Sequence, residues 1–137
     1  MSNMKRIHLH WTAGTHKANS VDLAAYHFVI EGDGTVIKGK FPVSANALGV
    51  PLVAGKYAAH TASANGGAIG VSLAAMHGAT ESPFNPGKYP ITTAQVAAMT
   101  KLVADLCAQY NIPVTRSTVL THAEVQGTLG IKQKNKW

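Results

Sequence analysis

The chain has 137 residues, the size of one domain, because domains commonly run to ~100–150 residues, so a two-domain enzyme is not expected within it. With 46% hydrophobic and 13% charged residues it excludes whole-chain disorder and predicts a surface built from Ser, Thr, Asn, Gly and Ala more than from ion pairs. Twelve Lys and Arg against six Asp and Glu, a net charge of +6, favour an anionic partner such as nucleic acid, a membrane surface or an acidic cell-wall polymer without choosing among them.

Residues 5–11 alternate as a strand does, with Ile7, Leu9 and Trp11 on one face and Arg6, His8 and His10 on the other. Asn19 or Ser20 caps a short helix through Val21, Leu23 and Ala24. A second alternating strand over residues 26–31 then turns at Gly32-Asp-Gly-Thr35, whose residues tolerate positive φ, into a returning arm at 36–40. Residues 41–66 carry Pro, Gly, Ser and Asn with no sustained period, which predicts a long connection holding His60. Residues 68–76 are apolar nearly throughout, as a strand covered on both faces would be. Thr92 and Gln95 form a capping box for a helix whose Val96, Met99, Val103, Leu106 and Tyr110 recur at spacings of three and four, and which stops at Asn111 before Ile112-Pro113. Residues 119–122 read as a last short strand that delivers His122.

Seven histidines outnumber the six acidic residues. A catalytic zinc commonly takes three protein ligands and keeps one position open for water. His10 and His122, on separate strands, are candidates for such ligands; the plain alternative is a histidine that satisfies a hydrogen bond in a half-buried position. Cys107 is the sole cysteine, so an intramolecular disulfide and a Cys-based zinc finger are excluded; in the long helix it reads as a small buried apolar residue. His16 and His77 lie near turns and are expected to be solvated, His8 to sit beside the site, and His27 to alternate away from Tyr26. The N-terminus lacks the apolar run of a signal peptide, and no stretch approaches the ~18 apolar residues of a membrane span; synthesis in the cytoplasm and no membrane partner are the expectation.

Taken together, residues 7–14 (Ile-His-Leu-His-Trp-Thr-Ala-Gly), 26–35 (Tyr-His-Phe-Val-Ile-Glu-Gly-Asp-Gly-Thr), 59–61 (Ala-His-Thr), 65–71 (Asn-Gly-Gly-Ala-Ile-Gly-Val) and 121–125 (Thr-His-Ala-Glu-Val) occur in the order found in zinc-dependent N-acetylmuramoyl-L-alanine amidases. The chain resembles that family, which includes phage lysozyme-type endolysins and animal peptidoglycan recognition proteins, over essentially its whole length. The resemblance implies an α/β fold with a central mixed β-sheet of about five strands flanked by helices, residues 1–137 forming a single catalytic domain. It implies Zn2+ as cofactor, His10 and His122 as metal ligands, Tyr26 as the active-site tyrosine, and His60 and Asn65 along the substrate groove. Many members carry a glutamate where this chain has Ser72, which shifts the acid/base or oxyanion role onto Tyr26. The family's third ligand is a Cys or Asp downstream of the second histidine, usually two residues after a lysine. Here no Asp or Cys follows His122, Glu124 is the only acidic residue in that segment, and Lys136 and Trp137 look like the start of a Lys-x-Asp signature. The expectation is a catalytic Lys136 and a natural protein that continues past Trp137 with the Asp ligand.

The implied reaction is zinc-dependent hydrolysis of the amide between N-acetylmuramic acid and L-alanine of peptidoglycan, by a monomeric phage or prophage endolysin that reaches the wall after release. A wall-recycling amidase would look the same. The alternatives are a non-catalytic peptidoglycan-binding module, kept alive by the missing ligand, and a basic regulator binding nucleic acid or a polymerase. No basic stripe interleaved with aromatics supports the last of these, so no nucleic-acid partner is expected.

Overall fold

The computed structural model describes residues 3–133. Five strands form one mixed sheet in the order β3-β2-β4-β1-β5. Strand β1 (Arg6–Trp11) lies between β4 (Ala68–Leu73) and β5 (Val119–Thr121) and is parallel to both. Strand β2 (Phe28–Ile30) pairs in parallel with β4 and antiparallel with β3 (Val36–Lys38), which returns through the expected hairpin with Gly34 at φ +91°. All six residues of β4 are buried, as the apolar run required of a central strand covered on both faces.

Three α-helices accompany the sheet. Helix α1 (Ser20–Ala25) starts at Asn19, whose side chain and that of Asp22 close a capping box. Helix α2 (Thr93–Tyr110) starts at the predicted Thr92–Gln95 box and ends at Asn111 in the left-handed conformation, φ 55°. Its Leu106 and Cys107 are buried with Ile7, Ile30, Ile69 and Val71, and Met99, Val103 and Tyr110 pack against that cluster. Val96, expected on the same stripe, is 46% exposed, since it lies in the first turn, before the helix is fully seated on the sheet. Helix α3 (His122–Leu129) was not anticipated: strand β5 ends at Thr121, and His122 opens a helix. Its signal was present in Thr121-His-Ala-Glu124, a capping box that forms as such sequences predict.

Gln95 does more than cap. It is fully buried; its Nε2 donates to the carbonyls of Ile30 (3.0 Å) and Ala74 (2.9 Å) while its Oε1 accepts from the Thr92 N–H (3.0 Å). One side chain therefore ties the start of α2 to the ends of β2 and β4. Gln95→Leu is expected to lower stability by about 2–3 kcal/mol, because buried polar groups lose their partner without regaining water. A urea titration should show the midpoint falling at constant slope; an unmoved midpoint would refute the role.

Candidate metal centre and active site

The sheet's alternation divides β1 into two roles. Ile7 points into the main core, and His8 and His10 point to the opposite face. Parallel register places Gly70 beside His8 and Ser72 beside His10 on that face. His10 is buried near the carboxyl end of β1, where parallel sheets commonly present functional groups. Around it, the Tyr26 ring centroid stands 5.1 Å away and the His122 centroid 5.1 Å away. Tyr26 reaches this point from the C-cap of α1 and His122 from the first residue of α3. Three residues separated widely in sequence thus share one point, with His10 at the middle. An apolar cavity of about 230 Å3, walled by Leu9, Leu73, Ile91 and Met99, opens against both His10 and His122.

Each of the two histidines is held by its Nε2. His122 Nε2 donates to Gln133 Oε1 (3.0 Å), and the buried Gln133 is itself fixed by donating to the Ala62 carbonyl (2.7 Å) and, through its backbone N–H, to Gln126 Oε1 (3.0 Å). His10 Nε2 lies 3.2 Å from His60 Nδ1 and 3.3 Å from Thr61 Oγ1. Metal-binding histidines almost always have one ring nitrogen engaged in this way. Burial, reinforced by the nearby His122 and His8, holds the His10 pKa well below 6.5, so its imidazole is neutral, the form that binds metals. Burial raises the Tyr26 pKa above 10, keeping the phenol protonated at neutral pH. Ser72 sits close enough to favour the phenolate slightly, yet no well-aligned hydrogen bond forms, and Ser72 Oγ is a buried side-chain oxygen without a partner.

His60 and Asn65, expected along the substrate groove, are buried, with His60 Nδ1 3.2 Å from His10 Nε2. Asn65 Oδ1 accepts from the backbone N–H groups of His60 (3.0 Å) and Thr61 (2.9 Å), which shapes the loop. The His60 ring lies on Gly70, where a Cβ would come within 2.5 Å of its Cδ2; only glycine leaves that space. Glu124 is turned to the start of α3, its Oε1 accepting from the Thr121 N–H and Oγ1, both 3.0 Å. No group of three His, Cys, Asp or Glu side chains able to hold a metal occurs among the described residues. Lys136 and Trp137 lie outside the described residues. His27, expected to face away from Tyr26, is buried, accepting from the Gly70 N–H (2.9 Å) and donating to Asn46 Oδ1 (3.0 Å). His16, expected in solvent, is partly covered, with its Nε2 2.8 Å from the Pro90 carbonyl. Thr61, Asn46 and Gln133 were not foreseen, because nothing local distinguishes a Thr, Asn or Gln with a buried partner from one in solvent.

The five-stranded mixed sheet with its helices has the fold of solved N-acetylmuramyl-L-alanine amidase and peptidoglycan recognition protein structures. The model of the N-acetylmuramoyl-L-alanine amidase family matches residues 1–136, and the chain belongs to that family. Among solved structures it is similar to the Escherichia coli N-acetylmuramyl-L-alanine amidase AmiD in complex with anhydro-N-acetylmuramic acid-L-Ala-D-gamma-Glu-L-Lys, at 20% identity and TM-score 0.62, over 89% of this chain and 49% of that one. The chain thus spans about half the length of AmiD. It is also similar to the amidase LysC of Clostridium intestinale (16% identity, TM-score 0.55, 95% of this chain and 89% of that one). The Drosophila peptidoglycan recognition protein SD is a third (18% identity, TM-score 0.57, 91% and 72%). No curated protein sequence matches.

Proposed function

We propose that the protein hydrolyses the amide between the lactyl group of N-acetylmuramic acid and L-alanine in peptidoglycan, with zinc held by His10 and His122. The observation that carries this reading is the placement of His10 between His122 and Tyr26, with both ring centroids at 5.1 Å. The donor set suits zinc: His10 is neutral, both imidazoles are braced through Nε2, and both line one cavity. Bound there, zinc would acidify a water molecule and polarise the amide carbonyl. Tyr26, protonated at neutral pH, donates its phenolic proton in a hydrogen bond to the oxygen on which negative charge develops.

Digesting purified peptidoglycan and weighing the products tests the reaction. Free amino termini on L-alanine with intact glycan strands are expected; cut glycan strands or peptide-internal cleavage would contradict it. Tyr26→Phe should bind zinc normally and release stem peptides about 10²–10³-fold more slowly, the usual effect of losing one oxyanion donor. Release at the wild-type rate would remove Tyr26 from the chemistry.

A second reading is a peptidoglycan-binding module without catalysis, favoured by the lack of a three-residue ligand group among the described residues. Elemental analysis for zinc beside dye release from stained walls separates the two, since binding without solubilisation supports the module. The role proposed is that of an endolysin of phage or prophage origin; the likeness to the endolysin amidase LysCS of Clostridium intestinale supports its endolysin part. The net charge of +6 suits approach to anionic wall polymers.

A further inference from the structure

Behind His10 lies a chain of polar side chains, half-buried at Arg6 and buried at His8, Thr61 and His60. Thr61 Oγ1 is its hub, at 3.0 Å from His8 Nδ1, 2.8 Å from His60 Nδ1 and 3.3 Å from His10 Nε2. A hydroxyl has one proton and two lone pairs, so it can serve three neighbours only as donor to one and acceptor from two.

The two ends of the chain decide which is which. Arg6 Nε can only donate, and it lies 3.3 Å from His8 Nε2, so that nitrogen accepts and the His8 proton sits on Nδ1, aimed at Thr61. The Ala68 carbonyl can only accept, and it lies 3.2 Å from His60 Nε2, so that nitrogen carries the His60 proton and His60 Nδ1 is bare. Thr61 therefore accepts from His8 and donates to His60. Its remaining lone pair faces His10 Nε2 at 3.3 Å, and His60 Nδ1, 3.2 Å from the same nitrogen, carries no proton and already accepts from Thr61. Neither group in front of His10 Nε2 has a proton to give it, and the Thr61 oxygen is there to accept one.

We infer that Arg6, His8, Thr61 and His60 act as positioning residues that lock His10 in the tautomer with its proton on Nε2, leaving the Nδ1 lone pair as the nitrogen offered to a metal. Residues up to 55 positions apart in sequence thereby prepare one ligand before any metal arrives. Fixing the tautomer in advance removes the cost of breaking a wrong hydrogen bond on binding. Gly70 belongs to the same device, because its missing side chain is what lets the His60 ring reach Thr61.

This inference rests on the reading of His10 as a zinc ligand for its purpose, but its central claim is measurable without metal. Long-range ¹⁵N–¹H NMR of the histidine side chains in the zinc-free 137-residue chain at neutral pH should show His10 protonated at Nε2 and His8 at Nδ1. Observation of His10 protonated at Nδ1 would overturn the inference whatever the protein does with zinc. Thr61→Val removes the hub; the His10 tautomers should then mix, and Zn2+ affinity should fall about 10–100-fold, the usual effect of losing a partner of a metal-bound histidine. Thr61→Ser keeps the hydroxyl and should restore both readouts, so it serves if the valine variant does not fold. A folded Thr61→Val protein with the wild-type tautomer and wild-type Zn2+ affinity would also overturn it. Failure of the wild-type chain to bind Zn2+ while His10 keeps its Nε2 proton would instead count against the zinc reading and leave the relay standing.

Discussion

His122→Ala is expected to abolish stoichiometric zinc binding and to slow stem-peptide release by about 10³-fold or more, the size of an effect worth several kcal/mol in the transition state. The reason lies in the donor count. Among the described residues, His10 and His122 are the imidazoles that share the apolar cavity, so removing one leaves a single ligand for an ion that commonly takes three from the protein. The fold should survive. His122 is only partly buried at the first residue of α3, and the helix is started by the Thr121–Glu124 box, which the substitution does not touch. The loss includes its bond to Gln133, about 1 kcal/mol, and its ring contact with His10. Circular dichroism with elemental analysis and product release gives the comparison. A folded alanine variant that still carries one zinc per chain, or that cuts at the wild-type rate, would refute the assignment of His122.

Acid should destabilise the metal-free protein steeply. His8, His10, His27 and His60 are all buried. Burial is the leading cause that holds His8 at a pKa of about 3, His27 at about 4, and His10 and His60 well below 6.5. Each folded-state value is depressed for a base, so between that value and 6.5 the unfolded chain binds a proton that the folded chain refuses. Stability is therefore fully present above about pH 6.5 and is lost as pH falls toward the folded-state values. Each histidine contributes up to ~1.4 kcal/mol per pH unit in that window, so four acting together give a slope approaching about 5.5 kcal/mol per unit. Against a typical stability of ~5–15 kcal/mol, the melting temperature should collapse between about pH 6 and pH 4. Calorimetry in buffers of different ionisation heat should find three to four protons taken up on unfolding near pH 5, roughly the number of buried rings. A melting temperature that stays flat from pH 7 to pH 5 would mean that these rings are charged or exposed.

The local signals in the sequence translated well where the determinant lay within a few residues. Alternation placed β1 and set His8 and His10 on the face opposite Ile7, Gly34 marked the hairpin, and Thr92, Gln95 and Asn111 bounded α2. The same kind of signal, Thr121 with Glu124, announced α3, but the assignment of a strand to residues 119–122 hid it. Val96 shows the limit of periodicity, since a correct spacing does not say where a helix first meets the sheet.

By itself the sequence determined the family and the order of strands and helices other than α3, and it singled out His10 and His122, whose rings the fold brings within 5.1 Å, because motif order and local periodicity are carried by neighbouring residues. Only the tertiary structure decided that His60 and Asn65 stand behind His10, that Glu124 serves a helix start, and that Thr61, Gly70 and Gln133 bear on the site. The physical reason is separation. Most of the bonds that settle a buried histidine's proton here join residues 50 to 53 positions apart, through a connection at 41–66 that has no period to read. Those partners exist only once β1 and β4 lie side by side.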